Sequence, residues 1–274
     1  MGGGHPMHDH SAAGGGLPGA ALSALVLVSA GAGYLMLARR AQRRNPALAW
    51  SGARSASFLG GLALLALALL PPLAPAAHTD FRAHMAQHLL IGMYAPLALV
   101  LSAPVTLLLR NLPPARARQV VAVVRSRCAR VLTHPAVALA LSTGSLPVLY
   151  FTPLYETCMA HPAGHLLLHA HFLASGCLFA HALAGPDPAP RRPGVRARLV
   201  YLGAAVAVHA LVAQAMYGGF FVAVHAPIDR VQQGAEIMYY GGDVAELLLA
   251  AALVATWRPE RRTATTAVRA RRLV

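Results

Sequence analysis

From Leu89 to Leu109 the chain carries no charged residue. Helical at about 1.5 Å per residue, a run of this length reaches across a bilayer core of roughly 30 Å. Comparable apolar runs recur at about Ala20–Ala38, Ser57–Leu70 (extended through Pro71-Pro72), Pro135–Phe151, Ala163–Ala184, Leu199–Phe221 and Ala235–Trp257. Only 12% of residues are charged, against about 25% in a soluble domain. Backbone amides in lipid must be satisfied internally, so runs of this kind fold as helices. The expected fold is all-α, a polytopic membrane helix bundle with seven transmembrane helices. It occupies residues 19–257 as one domain. A Gly-rich 1–18 tail containing His5, Met7, His8 and His10 is expected to be disordered and able to collect a soft metal. A basic cytoplasmic tail, 258–274, follows the last span.

The formal net charge is +14, and all 23 basic residues are Arg. Of these, 21 fall in the loops 39–55, 110–133 and 185–198 and in the tail, whereas Arg82 and Arg230 alone fall in the alternate connections. That bias places the N-terminus outside and the C-terminus in the cytoplasm. It also argues against nucleic acid as a partner, because no aromatic-rich basic strand or recognition helix accompanies the charge. The lack of Lys excludes a retinal-type Schiff base. Cys128, Cys158 and Cys177 show no CxxC spacing and fall at three different levels, so no internal disulfide is expected. No positive segment precedes the first apolar run, so no cleaved signal peptide is expected.

Orientation turns sequence positions into depths. The third span, Asp80–Arg110, enters from outside with His84 and His88 one helical turn apart, and with Met85, Gln87 and Met93 nearby. Read alone, this pair could do no more than hydrogen-bond neighbouring helices. The fifth span repeats His161, His165 and His169 every four residues. The last span carries Glu236, Asp243 and Glu246, and the sixth carries His209 near its middle. Imidazoles and carboxylates on several helices at one depth point to a site, since such groups are costly in a bilayer. Met85, Met93, Met216 and Met238 lie in the same zone, and imidazole with thioether suits Cu(I). Asp243 and Glu246 could support imidazole N–H groups or relay protons.

The segments His84-Met85-Ala86-Gln87-His88-Leu89-Leu90, Ser102-Ala103-Pro104 through Arg110, His134-Pro135, His161-Pro162-Ala163-Gly164-His165 through His169, and Gln232-Gln233-Gly234-Ala235-Glu236 with Gly242-Asp243 resemble the CtaG-type cytochrome c oxidase assembly factors. The family often has an acid just before the last His of the fifth-span motif; here that place is Leu168. The resemblance implies a multi-pass protein of a bacterial plasma membrane that is not an enzyme. It implies cytochrome c oxidase subunits as partners and copper supplied on the outer side, with an extracytoplasmic copper donor protein feeding it. The expected ligands are His84, His88, His165 and His169, with His161, Met85 and Met238 as auxiliaries and Asp243 as support.

Two other readings stay open from the residues. Paired His on two helices can ligate haem. A copper or proton transporter could use His209, His181 and Cys177 as stepping stones. No GxSxG or HExxH pattern suggests a hydrolase.

Overall fold

A computed structural model describes residues 16–190 and 192–256; the His/Met residues of the N-terminal tail and the basic C-terminal tail lie outside them. All the regular elements described are helical. Among the described residues, six helices are long and apolar enough to cross a membrane. They are α1 (Gly16–Arg44), α2 (Gly52–Leu69), α3 (Phe81–Asn111), α5 (Pro162–Ala184), α6 (Val195–Tyr217) and α7 (Ile228–Ala255). Between α3 and α5 lies the shorter α4 (Pro135–Tyr150).

The fourth expected span is therefore not one regular helix. It is α-helical over Pro135–Leu141, tightens into a 3-10 turn over Thr143–Ser145, and resumes over Leu146–Tyr150. The cause is local. Pro147 has no N–H to donate to Thr143, and the Ser145 hydroxyl donates to the carbonyls of Leu141 and Ser142 at 2.8 and 2.9 Å.

Helix α3 is the axis of the bundle. It packs against α1, α2, α5 and α7, while α6 packs on α7. It is also interrupted. A π turn occupies Leu90–Tyr94, ending two residues before Pro96, and the helix breaks again at Ala103, whose φ is +55°. Pro104 cannot donate, so carbonyls in the preceding turn need other partners. Ser57 donates to the Ala98 carbonyl at 2.6 Å, Ser102 to that of Leu99 at 2.6 Å, and Tyr34 to that of Ser102 at 2.9 Å. Side chains of α1, α2 and α3 itself thus satisfy the carbonyls that the break at Ala103 leaves open, as a bilayer demands. The last segment of α3, Pro104–Asn111, is capped by Asp187, which accepts from the Val105 and Thr106 amides at 3.0 and 2.7 Å.

At the opposite end, Asp80 caps the start of α3 by accepting from the Arg82 amide at 2.9 Å. Its carboxylate also pairs with Arg82 at 2.6 Å and with Arg230 of α7 at 3.2 Å. Helices α3 and α7 therefore begin side by side. α5 begins there too, because His78, just before α3, packs against His165. The exposed apolar side chains, such as Leu25 and Met36 on α1 and Leu247 and Val254 on α7, face outward from the bundle, as lipid contact requires.

Candidate metal centre

Two helices and a loop meet where α3 and α5 begin. The first turns of α3 bury His84, Met85, Gln87 and His88. Gln87 is fixed by a proline: Pro72 offers no N–H to the Ala68 carbonyl, and the Gln87 side-chain amide fills that place at 2.8 Å. Its Oε1 then faces His169 Nε2 at 3.0 Å. An amide oxygen only accepts, so His169 carries its proton on Nε2 and leaves the Nδ1 lone pair free. This is the arrangement that orients a metal-binding imidazole.

His169 is one of three imidazoles in a staggered stack, the rings inclined at 61° between His169 and His165 and at 38° between His165 and His78. Its ring centroid lies 4.2 Å from that of His165, which lies 4.2 Å from that of His78. His78 is exposed, His165 and His169 are half-buried, and His84 is buried. The polar line therefore runs from the surface inward. His84 Nε2 sits 3.3 Å from the Tyr150 hydroxyl, and its ring meets Tyr155 edge-on at 4.9 Å. His165 Nε2 and His84 Nδ1 are buried without a hydrogen-bond partner. Orphaned buried nitrogens are rare, and here they are lone-pair or N–H positions with capacity to spare.

His88 belongs elsewhere. It faces Phe172 at 4.3 Å and lines an internal cavity of about 50 Å³ together with His209 of α6 and Glu246 of α7. Among the described residues, no group of three or more His, Cys, Asp or Glu converges on a point where all would bind one ion.

These arrangements belong to a known kind of chain. A family model for the cytochrome c oxidase caa3 assembly factors matches residues 32–260. The chain belongs to the caa3 assembly factor family. An uncharacterized protein of Mycobacterium bovis is 34% identical over 203 residues, covering 72% of this chain and 30% of its own length. An uncharacterized protein of Mycobacterium leprae is 31% identical over 227 residues, covering 76% of this chain and 34% of its own. The chain thus spans about a third of the length of the curated relatives it matches. No solved structure matches it.

In this member of the family the expected ligands do not form one cluster. His165 and His169 stand together, whereas His84 packs against Tyr150 and Tyr155. His88 lies at the cavity. His161 is exposed at the N-cap of α5, outside the stack of rings. Met85 and Met238 are fully buried in the apolar core with Phe81, Val231 and Ala235, and neither lines the cavity. Asp243 is half-buried one turn before Glu246.

Three participants were not among the expected ligands. His78 lies in a loop, where no helical period announces its neighbours. Gln87 was noticed only as polar; its role depends on the carbonyl that Pro72 frees on another helix. For Glu246 the sequence offers a supporting role toward an imidazole or a proton relay, but its place beside His209 follows only from the packing of α6 on α7. The Cys residues are free, with Cys128 exposed.

Proposed function

We propose that this assembly factor receives copper as Cu(I) at the His78–His165–His169 stack and passes it toward the oxidase that the family serves. The observation that supports this most is the stack itself: three adjacent imidazoles from two separate elements, one exposed and two half-buried, with His169 oriented by Gln87. Cu(I) is a soft ion that imidazole binds well. A site of two imidazoles keeps an open face, which ligand exchange requires. Exposed His78 would take the ion from a donor, and His165 and His169 would hold it by their free nitrogens. The Arg bias of the opposite loops supports placing this end of the bundle on the outer side. On this reading α4 completes a seven-span fold, the role is non-catalytic, and the partners are oxidase subunits and a copper donor outside a bacterial plasma membrane.

The test is Cu(I) titration of the purified full chain against a chromogenic Cu(I) chelator. Wild type is expected to compete, and the His165→Ala/His169→Ala variant to lose about a hundredfold or more in affinity. Equal competition by the two proteins would remove the proposal. An optical spectrum of protein from haem-replete cells tests the haem alternative; on the copper reading it lacks a Soret band.

A further inference from the structure

We infer that the cavity beside His88, His209 and Glu246 is a second binding site, for one transition-metal cation that keeps part of its water shell. It is independent of the proposed Cu(I) stack.

The cavity of about 50 Å³ lies among α3, α4, α5, α6 and α7. By size it admits more than one water-sized group. Three titratable side chains on three helices line it, each at least nine-tenths buried: His88 on α3, His209 on α6 and Glu246 on α7. His88 Nδ1, His209 Nε2 and both carboxylate oxygens of Glu246 have no hydrogen-bond partner. His209 Nδ1 stands 4.0 Å from Glu246 Oε1, too far for a hydrogen bond. Four orphaned polar atoms around one small cavity would be very costly in a bilayer unless something polar occupies it.

The backbone is shaped to the same space. Gly92 and Met93 of the π turn in α3 line the cavity, as do Ser142 and Thr143 at the break in α4. Two helix irregularities, on different spans, thus face one void. Irregular backbone at membrane depth belongs where it is buried in protein or lines a polar cavity, and π turns favour functional sites. Gly242 makes a further allowance: a methyl group there would lie 2.1 Å from His209 Cε1, so the glycine lets the imidazole lie against α7.

The lining selects the ligand. It offers a carboxylate, two imidazoles, the hydroxyls of Ser142, Thr143 and Ser175, and the Met93 thioether, with no Arg. That set attracts a cation, and two imidazoles with one carboxylate favour a borderline transition metal over magnesium or calcium. The three groups ring the cavity instead of meeting at a point, so water must bridge part of the coordination.

The test uses Co²⁺ alone as the probe, read by its visible d–d absorption. The protein is the full chain in detergent carrying His165→Ala/His169→Ala, which removes the stack as a competing site. In this background Co²⁺ is expected to bind, and Glu246→Gln, His209→Gln and Gly242→Ala are each expected to weaken it at least about tenfold. Cooperative thermal melting identifies which variants are folded. Gly242→Ala acts by displacing the His209 ring and leaves every polar group in place, so it tests the site even if a polar variant does not fold. Absence of a Co²⁺ spectrum in the folded background protein, or unchanged binding in the folded variants, would overturn the inference and leave the cavity to water. The Cu(I) competition reads the stack separately, so either site can fail while the other stands.

Discussion

At the residue scale, Gln87 of α3 ties two neighbouring helices together. It joins α2 to α5 through two hydrogen bonds and sets the His169 tautomer. Gln87→Leu keeps the bulk and removes both bonds. On the proposed reading, Cu(I) affinity should fall about 10- to 100-fold, less than on loss of His165 and His169 together, in the same chelator competition. Asp80 makes a second residue-scale prediction. Burial raises its carboxyl pKa, but its hydrogen bonds to Arg82 and the charge beside it outweigh this and hold the carboxyl below its usual range. A lowered acid pKa stabilises the fold above the group's unfolded value, and that stability is lost as pH falls through the folded value. Wild type should therefore melt above Asp80→Asn at neutral pH, and the gap should close on acidification below the ordinary carboxylate range. A gap that does not change with pH would mean that the pair with Arg82 and Arg230 contributes no charge-dependent stability.

At the element scale, the interruptions of α3 and α4 organise the bundle. Pro96 has no N–H for the Gly92 carbonyl, and the π turn carries that carbonyl against α5. Gly176 permits the approach: a methyl there would lie 2.1 Å from Gly92 O and 2.8 Å from Pro96 Cγ. Backbone cannot move aside as a flexible side chain can. Gly176→Val should cost about 1–3 kcal/mol or more, read as a lower melting temperature in detergent. It should also disturb the cavity, whose wall includes Gly92 and Gly176. An unchanged melting temperature would show that the helices separate there at little cost. The sequence marks these places only through Pro96, Pro147 and the Ser142–Ser145 run. Pro104 marks a further interruption of α3, but proline alone does not specify that one break is a π turn and another a left-handed residue at Ala103.

At the scale of the whole molecule, the Arg bias makes a prediction about sidedness. Exposed Cys128 lies in the Arg-rich connection between α3 and α4, whereas half-buried Cys158 precedes α5 at the His78 end. A membrane-impermeant maleimide should label Cys128 only in inverted vesicles and Cys158 only from the outer side, each in a single-cysteine background. The reverse pattern would place the imidazole stack in the cytoplasm and remove its access to an external donor.

The amino-acid order by itself determined the helical class and the spacing of the apolar segments, because span length and loop charge are local properties that a bilayer reads directly. It also brought His84 and His88, and His165 and His169, within reach of each other, since residues four apart share a helix face. Which imidazoles meet across helices was decided only by tertiary packing. The rotational setting of the first turns of α3 against α5, α6 and α7 puts His88 at the cavity, while the loop before α3 folds His78 onto His165. A one-residue shift in helical phase turns a side chain by about 100°, and nothing in a single span's periodicity sets that phase against its neighbours.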